Sequence, residues 1–296
     1  MLPYEPEGYT QRPAPTPEQL RRGAGSREIF QGICSKCDEF HNLLVDLGPI
    51  RGLIPREETS LEIAQGTGRE ISILSRVGRQ VCFQVLAFSS QGTALLSRRG
   101  AQAEALAYFL DTLRPGDVLP AVVTHTTHFG AFCDIGCGVT ALMGIERCSV
   151  SRLRHCAERF APGQRIYAAV LGVDRAAGRI SLTHRELLGT WEENAASFRP
   201  GQTVTGIVRG VQPYGVFIEL APNLSGLAEP GSGLEPGEKV SVYIRSILPE
   251  KQKIKLSVLE RLGQAPPAPP FRYYTTVRHL SRWEYAPGGA ATVFDP

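Results

Sequence analysis

Two short segments carry the side chains most suited to chemistry. Phe129-Gly130-Ala131-Phe132 and Tyr214-Gly215-Val216-Phe217 each place two rings three residues apart around a glycine. In a regular strand, residues three apart face opposite sides of the sheet. The glycine permits a bulge or turn that brings both rings to one side. A pair of exposed rings on a curved sheet stacks unpaired bases, at about 1–3 kcal/mol per base and with little regard to sequence. From the motif alone the alternative stays open that one ring of each pair is core. Cations stand downstream at matching places: Arg179, at the end of Asp174-Arg175-Ala176-Ala177-Gly178-Arg179, and Lys253, between Lys251 and Lys255. There they can meet a phosphate backbone.

Other reactive residues fit their patterns less well. Cys34-Ser35-Lys36-Cys37 has the spacing of a zinc knuckle, but no second Cys-x-x-Cys follows. We expect structural thiols and no metal. His125, His128 and His155 lie near Asp134 and Glu146 in sequence, yet neither spacing nor repetition supports a nuclease. We therefore expect no enzyme activity and no cofactor, with histidine on this surface acting as a neutral stacker.

The elements that position these residues come as repeats. Arg114-Pro115-Gly116 returns as Arg199-Pro200-Gly201, and His128 through Phe132 returns as Pro213 through Phe217. The two shifts are the same, since 199 − 114 and 213 − 128 both equal 85. Ile180-Ser181-Leu182-Thr183 against Ile254-Lys255-Leu256-Ser257 gives 74, so the later copy lacks about eleven residues of a middle loop. A fainter first copy aligns Val45-Asp46-Leu47-Gly48 with Cys133-Asp134-Ile135-Gly136. Within a unit the hydrophobic period is two, as in Val240, Val242 and Ile244, the signature of half-buried strands. Short strands separated by Gly and Pro predict small barrels that close to hide their edges. Helix formers over 100–113 and 186–198 predict short connecting helices packed on barrel ends.

Composition agrees with this picture. The 296 residues include 31 Gly and 22 Pro, which favour many short strands and turns. Net charge is only +3, and its distribution says more. Lys plus Arg against Asp plus Glu is 8 to 8 over residues 28–99, 9 to 6 over 114–188 and 8 to 6 over 199–262. Seven scattered cysteines argue against a secreted disulfide scaffold. With no long apolar run, and no charged-then-apolar pattern at Met1 to Pro6, we expect a cytoplasmic protein that does not enter membranes.

The segment from Met1 to Pro15 is Pro-rich and reads as a mobile arm, followed by a capped turn at Thr16-Pro17-Glu18-Gln19. Pro266 to Pro270 reads as a stiff spacer. Beyond it Phe271, Tyr273, Tyr274, Trp283 and Tyr285 mix with Arg; we expect them to pack on the protein, with stacking on bases the other reading.

Taken together, aromatic-Gly-x-Phe, a Gly-Leu step (Gly52-Leu53-Ile54-Pro55 and Gly226-Leu227), Pro-Gly-x and a final Ile-x-Leu-Ser strand resemble the S-one RNA-binding domain. The resemblance covers residues 28–262. It implies an all-β fold with short connecting helices: three tandem five-stranded OB-fold barrels, at 28–99, 114–188 and 199–262. The family's stacking aromatics fall on Phe129, Phe132, Tyr214 and Phe217, and its Asp and Arg near the last hairpin on Asp174 and Arg179, the loop here being one residue longer. Its histidine after the Gly-Leu step is absent, the positions being Pro55, Gly144 and Glu229. The first copy departs furthest, with His41, Asn42 and Leu44 at the aromatic-Gly-x-Phe positions. The resemblance implies an RNA-binding protein of the translation apparatus, holding single-stranded mRNA at the small ribosomal subunit, with the first barrel free to dock a protein. A non-ribosomal regulator or scaffold of RNA decay or transcription is the alternative. From the ring positions we expect Phe132 and Phe217 to be the cleaner stackers.

Overall fold

Strand alternation turns one set of side chains inward, as with Val240, Val242 and Ile244, which are fully buried. A computed structural model describes residues 3–10, 13–231, 233–265 and 271–295; the expected spacer at Pro266 to Pro270 lies outside the described residues. Barrel 1 comprises β1 (Phe30–Cys37), β2 (Leu43–Leu47), β3 (Ile50–Ile54), β4 (Gln80–Phe88) and β5 (Ala94–Ser97). Barrel 2 comprises β6 (Val118–Thr126), β7 (Gly130–Asp134), β8 (Thr140–Gly144), β9 (Arg165–Asp174) and β10 (Arg179–Thr183). Barrel 3 comprises β11 (Thr203–Gln212), β12 (Gly215–Ala221), β13 (Leu224–Ala228), β14 (Glu238–Leu248) and β15 (Lys253–Gln264).

All three close in the same order. The first three strands form an antiparallel meander, the third pairs in parallel with the fifth, and the fourth closes the barrel between the fifth and the first. Closure leaves no open edge, and the interior of barrel 3 is filled by Val208, Val216, Ile218, Val240, Val242, Ile244, Ile254 and Leu256. This is the OB-fold arrangement, and its three copies match the repeat read from the sequence.

The loop before the fourth strand differs between copies. It runs over 145–164 in barrel 2 and over 229–237 in barrel 3, which is shorter by eleven. The longer loop seats barrel 2 on barrel 3. Arg159 donates to the Glu219 carboxylate at 2.9 and 2.6 Å, and Arg209 reaches the same carboxylate at 2.8 Å and Glu158 at 2.7 Å. All but the partly exposed Glu158 are buried, so each charge depends on the others for its solvation. The Val150 N–H donates to Asn223 Oδ1 at 2.9 Å, and the Ser151 and Ser225 hydroxyls meet at 2.9 Å.

Between barrels 1 and 2 runs the helix Arg98–Thr112, longer at its start than expected because Ser97 caps it at Gly100. Its Ala101, Ala105 and Phe109 join the core of barrel 2. The capped turn is a short helix, Pro17–Gly23, with a capping box at Thr16 and Gln19. The arm expected to be mobile instead packs between barrels 1 and 2 along residues 3–10. The Tyr4 ring meets Phe109 edge-on, and Glu7 is clasped by Arg98 at 2.7 and 2.8 Å. Its backbone N–H donates to Asp134 at 2.7 Å.

The tail packs as expected, but onto barrel 2 as well as barrel 3. Phe271 lies 4.6 Å from the His184 ring, and the Tyr273 hydroxyl is 3.2 Å from His184 Nε2. Burial holds the His184 imidazole neutral, its pKa pushed down to about 3. A small ribbon, β16 (Arg282–Glu284) with β17 (Ala291–Val293), ends the tail, and Tyr285 bonds Asn223 of barrel 3.

Candidate nucleic-acid interface

The register of barrel 2 lines up His125, Phe132, Leu142, Ser181 and Gly172 as neighbours on five adjacent strands. In barrel 3 the same row reads Gly210, Phe217, Leu227, Lys255 and Ser246. The row points outward, because Cys133, Ile135 and Ile218, of opposite parity to Phe132 and Phe217, are fully buried.

The first ring of each pair reaches the same side by standing ahead of the strand. Phe129 and Tyr214 lie in the turns before β7 and β12, so the strict alternation of a strand does not apply to them. The glycine that follows is set by space. A Cβ at Gly130 would come 2.7 Å from the Met143 carbonyl oxygen, and one at Gly215 would come 2.6 Å from that of Ala228. Only a residue without a side chain lets the turn press this closely on the neighbouring strand.

The resulting ring geometry is repeated. Phe129 and Phe132 sit 6.0 Å apart at 89°, and Tyr214 and Phe217 sit 6.1 Å apart at 89°. None of the four belongs to the core. Phe129 is 48% and Tyr214 66% exposed, against 37% for Phe217, while Phe132 is half-buried. The rings before the glycine, whose direction their positions left open, are therefore the more open ones.

Barrel 2 adds two rings that the repeat could not reveal. His125 stacks beside Phe132 with 6.1 Å between centroids and 27° between planes, and His128 meets Phe129 edge-on at 5.3 Å. Their counterparts in barrel 3 are Gly210 and Pro213, so no recurrence marks them. Beside the row, Arg179 and Lys253 each begin the fifth strand, two residues ahead of Ser181 and Lys255, and are exposed. Lys255 lies two residues on, within the row itself. Adjacent strands are about 4.8 Å apart, which puts the Lys255 backbone roughly 10 Å from that of Phe217, within reach of one nucleotide's phosphate. Asp174 takes a different place: its carboxylate accepts the Ala177 N–H at 2.9 Å and so shapes the hairpin that carries Arg179.

Barrel 1 has the same register with other side chains. Lys36, Leu44, Leu53, Leu95 and Ala87 form its row. His41 takes a left-handed backbone in the preceding turn, with φ of 61°. Cys34 is buried inside β1 and Cys37 half-buried at its end. Among the described residues no group of three or more His, Cys, Asp or Glu is placed to hold a metal ion, and no helix is long and apolar enough to cross a membrane.

Closed five-stranded barrels, two of them with an outward aromatic row beside cations, define a tandem OB-fold protein. Residues 112–185 match the model of the S1 RNA binding domain. The chain is 30% identical over 234 residues to a small ribosomal subunit protein bS1 of Leuconostoc lactis, covering 73% of this chain and 53% of that one. It is 28% identical over 271 residues to a bS1 homolog of Bacillus subtilis strain 168, covering 85% of this chain and 68% of the relative. A solved multidomain protein with nucleic acid binding domains from Streptococcus pneumoniae aligns over 81% of this chain and 75% of its own, with 16% identity and a TM-score of 0.27. The match places an S1 RNA binding domain at barrel 2, and the chain spans about half the length of the first of these relatives.

Proposed function

We propose that the chain binds single-stranded RNA on the outward rows of barrels 2 and 3, and that it does so at the small ribosomal subunit, holding mRNA there. The observation that carries the reading is the recurrence of one ring geometry, 6.0 and 6.1 Å at 89°, at equivalent positions of two barrels beside cationic fifth strands. The ribosomal setting rests on the similarity to proteins named bS1. Phe129, Phe132, Tyr214 and Phe217 stack bases, while Arg179, Lys253 and Lys255 meet phosphates. Asp174 acts by holding its hairpin. Barrel 1, whose row is aliphatic apart from Lys36, faces a protein partner. On this reading the chain is a cytoplasmic binding protein that performs no chemistry of its own.

Fluorescence anisotropy on Phe132→Ala and Phe217→Ala tests the rows. We expect each to weaken single-stranded RNA by about 1–3 kcal/mol with little change in melting temperature. Duplex RNA of equal length should bind the unaltered protein less well, because its bases are already stacked. Unchanged affinity in both variants, or equal affinity for duplex and single strand, overturns the stacking rows. Co-sedimentation with small subunits, lost in high salt, separates the ribosomal setting from a free regulator.

A further inference from the structure

A cleft of about 390 Å³ opens between barrels 1 and 2, lined by Glu7, Arg76, Arg79, Thr124, Asp134 and Arg165 among others. Its volume lies in the range of built ligand sites, about 300–1,000 Å³. One wall adjoins the row of barrel 2. Thr124, at the irregularity in β6, donates its hydroxyl to the Phe132 carbonyl at 3.1 Å, and the next residue, His125, stacks on the Phe132 ring.

The charges inside are unevenly committed. The Glu7 carboxylate is taken by two bonds from Arg98, by Arg76 at 3.5 Å and by the Cys82 N–H at 3.0 Å. Asp134 accepts three backbone N–H groups, from Glu7 at 2.7 Å, Gly136 at 2.8 Å and Gly138 at 3.0 Å. Both carboxylates are thus engaged by the protein itself. Arg79, from barrel 1, makes no ion pair among the described residues and is exposed. Arg165, from β9 of barrel 2, lies 5.3 Å over the Tyr9 ring and donates to the Gly8 carbonyl at 3.1 Å, with no carboxylate partner among the described residues. Two guanidinium groups, one from each barrel, so keep donors for an anion, and guanidinium suits phosphate oxygens.

We propose that this cleft is a phosphate-binding passage for RNA leaving the Phe132 row, with its backbone laid between Arg79 and Arg165. The passage rests on the stacking reading above and gives barrel 1 a part in RNA binding despite its aliphatic row.

The test uses the full chain with uridine oligonucleotides of about four and about sixteen nucleotides, the span of site sizes for one such barrel. Arg79→Ala and Arg165→Ala should each weaken the long strand roughly fourfold at about 0.15 M salt and flatten the slope of log affinity against log salt by about 0.7. The short strand, filled by the rings alone, should be unaffected, and Arg79→Glu should lose more than Arg79→Ala. A normally melting Arg79→Ala,Arg165→Ala protein that binds the long strand with unchanged affinity and salt slope overturns the passage. If instead Phe132→Ala and Phe217→Ala leave both strands unaffected, it is the stacking reading that fails. Tyr9→Ala guards against an indirect effect through the arm: loss equal to that of Arg165→Ala, with Arg79→Ala silent, also overturns the passage.

Discussion

Barrels 1 and 2 share strand order, register and an irregularity in the first strand, yet their outward rows differ in kind. The residue at the irregularity even makes the same bond: Ser35 donates to the Leu44 carbonyl at 3.2 Å, as Thr124 does to that of Phe132 at 3.1 Å. What changes is the side chain beyond that carbonyl, leucine in one and phenylalanine in the other. The interior set of side chains determines register and closure, because a one-residue slip would turn the whole apolar set to solvent. The exterior row is then free to change without cost to the fold, which is how the same barrel can present either an aromatic surface or a largely aliphatic one.

The largest effect that sharpens this comparison comes from inside. Ile218→Ala, one residue from Phe217 and fully buried, should cost about 2–5 kcal/mol in chemical unfolding. Comparable destabilisation by Phe217→Ala would break the division between interior and exterior.

A second difference is the back of barrel 2, where the tail covers His184. A histidine with folded pKa near 3 and unfolded pKa near 6.5 contributes stability above 6.5 that is lost as pH falls toward 3. Relative to the unaltered protein, His184→Gln should therefore show a shallower loss of unfolding free energy from about pH 6.5 to 4, by an amount on the order of 1–3 kcal/mol. Parallel acid profiles would mean that the tail does not depend on a neutral imidazole. The same contacts imply that a fragment ending at residue 263 removes Phe271 and Tyr273 from barrel 2, so RNA binding by such a fragment tests more than the rows.

The smallest expected effect belongs to barrel 1. Leu44→Ala, at the position equivalent to Phe132, should change single-stranded RNA affinity by less than about 0.5 kcal/mol, measured by anisotropy beside Phe132→Ala. A loss as large as that of Phe132→Ala would mean that the aliphatic row binds RNA too.

Repetition made the barrels legible. One constant offset joined both aromatic pairs, and its fall from 85 to 74 between the middle and the end of the unit located the missing stretch of loop. Period-two alternation supplied the strands. The rest depended on contacts between residues far apart in sequence. Glu7 meets Arg98 across 91 positions, and Tyr273 meets His184 across 89, so composition near either end said nothing of where the arm and tail would lie. His125 was expected to stack, but its place beside Phe132 was not marked by the repeat because its counterpart, Gly210, has no ring. The direction of Phe129 and Tyr214 could not be read from the sequence, because a turn residue before a strand does not obey strand parity.

The buried charges around Glu219 have a consequence for how a strand is held. Because Arg159 and Arg209 lock barrel 2 to barrel 3, the two rows sit on one body in place of beads on a flexible string. A strand already seated on one row meets the other at an effective concentration set by the nucleic acid's own reach, which for short flexible tethers is of millimolar order. Affinity should then rise with oligonucleotide length as a step at the length that first spans both rows. Loosening the joint by Glu219→Gln should blunt that step while leaving each row's own affinity for short strands intact.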